Sequence, residues 1–136
     1  MLLFCMKSKI SLIIPVFNEA DEINNFFNEL KYCDYNKINE IIFVDDCSSD
    51  NSIHLLNQNI NEFKKNNFEV NTFLIHNLKN RGYGFSIKKG ISKSSNETIA
   101  IIDLDRTYKI EDLNTLSKMF IDDYNFKYDL ISGQRN

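Results

Sequence analysis

Two carboxylates stand two residues apart in Ile101-Ile102-Asp103-Leu104-Asp105, where an apolar extended run gives way to polar sequence. Oxygen ligands so spaced suit a hard divalent cation, Mg²⁺ or Mn²⁺, which keeps several waters and bridges to substrate phosphates. Asp103 and Asp105 are therefore the expected metal ligands, and an ion there would neutralise a departing diphosphate. A pair of solvated turn aspartates is the other reading of the same spacing.

A second acidic cluster, Val44-Asp45-Asp46-Cys47-Ser48-Ser49-Asp50, closes another apolar run. A carboxylate at such a strand end can accept hydrogen bonds from a base N–H or from ribose hydroxyls, which makes Asp45 and Asp46 substrate-binding candidates. For Asp45 a loop residue facing solvent is the alternative, whereas Ser48, Ser49 and Asp50 are expected to cap the helix that follows. In Asn80-Arg81-Gly82-Tyr83-Gly84 the glycines permit a tight turn that lets a phosphate approach backbone N–H groups, and Lys88 lies on the next helix. Gly82 and Lys88 are thus phosphate-binding candidates, although the loop is neither a Walker A loop nor a dinucleotide fingerprint.

The elements that must position these residues alternate along the chain. Residues 9–16 form a short apolar run rich in β-branched side chains, as in a buried parallel strand, and Ile23, Phe26, Phe27 and Leu30 then recur at helical spacing. Residues 40–46 predict a second strand, and Ile53, Leu56, Ile60 and Phe63 a second helix. A third strand over 68–76, a third helix over 85–92, a fourth strand over 98–103, a fourth helix over 111–124 and a fifth strand over 128–132 complete the pattern. Such alternation implies an α/β fold, a Rossmann-like doubly wound and mostly parallel sheet whose ligands bind at the carboxyl ends of the strands. Glu19, Asp45, Asp46, Asp103 and Asp105 all fall at those ends.

At 136 residues the chain is the size of one domain, and its formal charge of −3, with lysines scattered along the sequence, argues against a nucleic-acid partner. Three cysteines without CxxC spacing and two histidines without partners at zinc-ligand spacing indicate a reducing compartment and no structural zinc. The apolar residues 1–5 lack a basic flank before them and are cut short by Lys7 and Lys9, so neither a signal peptide nor a transmembrane segment is expected. Residues 1–8 read as an N-terminal extension and 9–136 as the folded domain. The cytoplasm, or the cytoplasmic face of a membrane, is the expected location.

In order, Ile14-Pro15-Val16-Phe17-Asn18-Glu19, Phe43 to Asp50, Asn80 to Gly84 and Ile102-Asp103-Leu104-Asp105 resemble the motifs of family-2 glycosyltransferases of the A-type fold. The stretch from Asp103 to Asp112 is similar to the Asp-x-Asp-Gly-Thr-Tyr-Pro-x-Glu-Asp of the dolichyl- and polyprenyl-phosphate sugar transferase branch, and Ser132-Gly133-Gln134-Arg135 to its Gly-x-Arg. The resemblance implies transfer of a hexose from a UDP- or GDP-linked sugar to a polyprenyl phosphate at a membrane surface, with inversion. It also implies that Pro15, Phe17 and Glu19 hold the nucleoside, that Asp45 and Asp46 contact base or ribose, that Asp103 and Asp105 hold metal and diphosphate, and that Arg135 lies near phosphates.

Three residues depart from the family pattern beyond Phe17 for Tyr. Cys47 replaces a Gly, which requires a backbone that is not left-handed there, and Arg106 and Lys109 replace Gly and Pro, placing two cations beside the expected ion. Because relatives of this kind continue past the Gly-x-Arg stretch, the chain is expected to be a truncated, donor-binding part, with the catalytic base and acceptor site beyond Asn136. A fragment that binds nucleotide but transfers nothing is the competing expectation. A phosphoacceptor receiver domain also opens with paired aspartates, but it requires them after the first strand and a Lys after the fifth, where this chain has Glu19 and Gln134-Arg135.

Overall fold

Isoleucine, leucine and valine make up most of β1 (Ile10–Val16) and, with Phe43, the run 41–44 of β2 (Ile38–Asp45), because both faces of these central strands are covered. Leu12, Ile14 and Val16 of β1, with Ile41 and Phe43 of β2, point into a layer shared with α1 (Ala20–Leu30), α2 (Ser52–Asn66) and α4 (Ile110–Ile121). Ile13, Ile42 and Val44, one position out of phase, point the other way, against Ile87 of α3 (Tyr83–Lys93). These elements, with β3 (Asn71–His76) and β4 (Thr98–Ile101), come from a computed structural model that describes residues 9–121 and 129–132.

The sheet has the order β3-β2-β1-β4, and every pairing is parallel. The chain therefore winds outward from β1 through β2 to β3, then crosses back over α3 to place β4 on the other side of β1. The reversal between β1 and β4 opens a crevice at their carboxyl ends, the position where such sheets bind ligands. An aromatic cluster braces the opposite flank: Phe27 stacks on Phe43 with ring centres 5.2 Å apart, and Phe26, Phe63 and Tyr35 meet the group edge-on.

Pro15 explains where the crevice begins. Ile10 and Val16 bond toward β2, through Ile10 N to Lys37 O and Asp46 N to Val16 O, whereas Ile13 O accepts from Ile102 N on the β4 side. Alternation then aims the backbone of residue 15 at β4, and proline has no N–H to give. The β1–β4 ladder stops, and β4 ends at Ile101, two residues earlier than the sequence predicts.

Other boundaries shift too. The third strand starts at Asn71 rather than 68, because Val70 N closes a turn onto Asn67 O and leaves Phe68 exposed. The predicted fifth strand is corrected: Asp129 to Ser132 form no strand, and Leu130 is 81% exposed, without the two-sided burial that fixes a parallel strand. Tyr128, the end of the predicted fourth helix past 121, the extension 1–8 and Arg135 lie outside the described residues. No helix among the described residues is long and apolar enough to cross a membrane.

Candidate functional site

Loops after β1 and β2 are clasped together before any ligand is considered. Asn18, left-handed with φ 54°, donates its N–H to Ser48 Oγ and accepts from Ser49 N through Oδ1. Glu19 N donates to Ser52 Oγ, and Ala20 N to Asp50 Oδ2. Asp50 also accepts from Ser52 N, so it binds the leading N–H groups of both α1 and α2. The helix boundary residue of α2 is Asn51, and the expected capping by Ser48 and Ser49 gives way to their bonds with Asn18.

The clasp fixes Glu19 in front of the crevice. Burial, followed by the charges of Asp105, Glu22, Asp50 and Asp103, raises its pKa above the ordinary carboxylate value. The influence of Asp105 and Asp103 on Glu19 places the three carboxylates in one electrostatic neighbourhood across the ends of β1 and β4. Tyr83 donates its hydroxyl to Asp103 Oδ1 at 2.9 Å, and Thr107 N donates to Asp105 Oδ1. Among the described residues no group of three His, Cys, Asp or Glu side chains is arranged to hold a metal. Two hard carboxylates two residues apart at a strand end do fit an ion that completes its shell with water and diphosphate oxygens.

Asp45 and Asp46 divide the work of the second cluster. Asp45 is wholly buried: its Oδ2 accepts from His76 Nδ1 at 2.8 Å and from Ser48 N, while Oδ1 is buried with no partner among the described residues. Asp46 has both oxygens committed, to Asn77 Nδ2, Arg81 N and Gly82 N. Burial pushes its pKa up, but these donors and the Arg81 charge outweigh it and hold the carboxylate below its usual range. The Gly82 N–H, expected to be free for a phosphate, is thereby occupied, while Gly82 itself supplies the positive φ of 87° that the turn into α3 needs.

Of the remaining candidates, Pro15 is half-buried at the end of β1, and Phe17 is 47% exposed just beyond it, open to a planar ligand. Lys88 is exposed on α3; its neighbour Lys89 instead turns inward and donates to Asn77 Oδ1 at 2.6 Å. Asn77 thus joins Lys89 to Asp46, and His76 orients Asp45. Sequence reading missed all three, although the spacing of Ser86, Lys89 and Gly90 on one helical face is a signal for Lys89. An open groove of about 580 Å³ runs along β4 and meets the site at Tyr83 and Asp103, with Tyr108, Leu113 and Ile131 on its far side.

Both glycine replacements sit on left-handed backbone. Cys47 has φ 62° and Arg106 φ 58°, so the condition for tolerating Cys47 is not met. The expected crowding of the ion by Arg106 is also corrected: its guanidinium turns back to α1, pairing with Glu22 at 2.7 Å and Glu29 at 3.3 Å. Lys109 N donates to Asp112 in the first turn of α4.

Known proteins share this architecture. The family Glycosyl transferase family 2 matches residues 11–132. A dolichyl-phosphate beta-glucosyltransferase of Dictyostelium discoideum is 30% identical over 112 residues, covering 77% of this chain and 33% of that protein. Its Mus musculus counterpart is 26% identical over 117 residues, covering 81% and 35%. The chain spans about a third of the length of these curated relatives. Among solved structures, the mannosyltransferase PcManGT from Pyrobaculum calidifontis in complex with GDP-Man and Mn²⁺ superposes with a TM-score of 0.63 at 20% identity, over 74% of this chain and 28% of that one. S. aureus TarS 1-349 in complex with UDP-GlcNAc gives 0.63 at 24% identity, over 82% and 31%. Likeness at these identities establishes the A-type glycosyltransferase fold.

Proposed function

Since the chain belongs to glycosyl transferase family 2, we propose that it holds a nucleotide diphosphate sugar, UDP- or GDP-linked, and passes its hexose to a lipid phosphate with inversion. The observation that carries the reading is the gathering of Glu19, Asp103 and Asp105 at the β1–β4 reversal, marked by the raised pKa of Glu19. Relatives named for dolichyl phosphate support the acceptor class, and a neighbour holding GDP-Man with Mn²⁺ supports the donor and the ion.

Asp103 and Asp105 would hold the divalent ion, Mg²⁺ or Mn²⁺, which would supply positive charge to the diphosphate leaving group. Phe17 supplies a ring face for the base, with Pro15 and Glu19 setting the loop around the nucleoside. Asp45, wholly buried, serves the base or ribose by orienting the partly exposed His76, and Asp46 holds the Gly82 loop in place. Lys88 and Arg135 are assigned to the phosphates by sequence position alone. An acceptor phosphate arrives already ionised, so in place of a protein base its own oxygen attacks the anomeric carbon in line as the bond to the diphosphate breaks and the nucleoside diphosphate leaves, and alignment contributes roughly 7–11 kcal/mol.

Calorimetry of the chain with UDP and with GDP, each with and without Mn²⁺, tests the donor half of the reading. Failure of a folded sample to bind either nucleotide overturns it. Transfer of radiolabelled sugar to polyprenyl phosphate in detergent tests the acceptor half.

A further inference from the structure

Between Glu69 and Glu97 the chain has five cations, Lys79, Arg81, Lys88, Lys89 and Lys93, and no carboxylate. With a total of −3, the rest of the molecule carries −8. The lysines that look scattered in the sequence are gathered by the fold, because this segment comprises β3, the loop after it and α3. Lys89 turns inward to Asn77, but Lys79, Arg81, Lys88 and Lys93 are exposed, and none of the four forms an ion pair among the described residues.

Large apolar side chains are exposed among them. Leu78 is 89% exposed in the loop after β3, and Phe85, whose ring carries the Arg81 guanidinium at 4.7 Å, lies on the first turns of α3. Phe73 is half exposed and shares a sheet face with Ile75, which packs beside α3. Since α3 lies over β1 and β2, the β3 side of that face is left open among the described residues. Cations interleaved with protruding apolar groups are what an anionic lipid surface selects, by attraction to headgroups and shallow insertion between them.

We infer that the α3 face, with Leu78, Lys79, Arg81, Phe85 and Lys93 as its contacts, docks the protein on an anionic membrane surface. The inference rests on the reading that the acceptor is a lipid phosphate, since the loop bearing Leu78 and Lys79 leaves the same end of the sheet as Asp45 and Asp46. An acidic mouth beside a basic docking face lets the headgroup layer hold the protein without competing for the site.

The test is sedimentation of the full chain with vesicles of phosphatidylcholine alone and of equal parts phosphatidylcholine and phosphatidylglycerol. Binding to the anionic vesicles only, reversed by salt, is expected. Each cation near such a surface contributes about fivefold, so Lys79→Glu with Lys93→Glu should weaken binding by roughly twentyfold or more. Leu78→Ser should weaken it separately and leave the salt dependence in place. Nucleotide calorimetry on the same variants is expected to match wild type, which separates this surface from the donor site. No binding to anionic vesicles, binding undiminished by the double substitution, or preference for a DNA duplex over vesicles would each overturn the inference.

Discussion

The Tyr83 hydroxyl donates to Asp103 Oδ1 across 2.9 Å, tying the first residue of α3 to the loop that leaves β4. Burial, and then Asp103 itself, push the Tyr83 phenol up to about 12, so it stays a donor throughout the neutral range. In the proposed site such a donor orients the Asp103 carboxylate, and removing a partner of a metal ligand typically weakens metal affinity by about 10- to 100-fold. Tyr83→Phe is expected to weaken Mn²⁺-dependent nucleotide binding by at least roughly tenfold, with the melting temperature nearly unchanged. Unaltered affinity in calorimetry would mean that the contact is incidental.

Asp105 and Asp46 should separate binding from folding. Asp105 adds charge to a crowded neighbourhood and is the largest like-charge influence on Glu19, so Asp105→Ala is expected to abolish metal-dependent nucleotide binding with stability equal or slightly higher. Asp46→Ala strands Asn77 and two backbone N–H groups, and a loss of about 2–4 kcal/mol is expected. Urea denaturation of both variants decides it; equal stabilities would show that Asp46 does not hold the loop.

Gly90 marks the closest approach of α3 to the sheet. A Cβ there would stand 2.5 Å from Cγ2 of Ile13, a wholly buried side chain with nowhere to move. Gly90→Ala is expected to destabilise by about 1–3 kcal/mol despite the better helix propensity of alanine. Thermal melting is the measurement, and a stabilised variant would refute the packing.

Cys47 and Arg106 invite the reverse change. Cys47 pays the steric cost of left-handed backbone with no side-chain hydrogen bond to show for it among the described residues, so Cys47→Gly should gain roughly 0.5–1 kcal/mol. Arg106→Gly relieves the same strain but removes the pairs to Glu22 and Glu29, so its gain should be smaller. The order of the two melting temperatures checks this.

Glu40 sets a pH dependence far from the site. Its buried carboxylate accepts from the Ser11 hydroxyl, from Ser95 N at 2.9 Å and from Ser95 Oγ at 2.6 Å. Burial raises its pKa, yet these donors outweigh burial and leave it below the ordinary value. A depressed folded pKa gives stability that is present above the unfolded value, about 4.3, and is lost as pH falls through the folded one. Glu40→Gln should cost about 1–3 kcal/mol at neutral pH and flatten the decline below about pH 4.5. Parallel acid titrations of both proteins, followed by circular dichroism, would expose any error of sign.

Period and burial made the four strands and four helices legible, because Leu12, Ile14 and Val16 alternate with Ile13 and because Ile23, Phe26 and Leu30 share a helical face. The acidic strand ends were legible for the same reason, since a parallel sheet puts them at one edge. What stayed hidden depends on contacts between distant residues. Nothing local says that Asp46 would meet Gly82 or that Asn18 would bond Ser49. Backbone handedness at Cys47 and Arg106 follows from how their loops close. The fifth strand failed because a short apolar run becomes a strand only when neighbours cover it, and Leu130 has no such cover among the described residues.

The missing amide at Pro15 also separates two kinds of attachment. Beyond the bond from Ile102 N to Ile13 O, the segment 103–108 is held among the described residues by side chains: Leu104 is buried in the core, Tyr83 binds Asp103, and Arg106 pairs with Glu22 and Glu29. The β4 rim of the crevice is therefore fastened to α1 and α3 as well as to the strands. Substitutions at Tyr83 or Arg106 act on that rim, whereas those at Gly90 or Glu40 act on the sheet and on the helix packed against it.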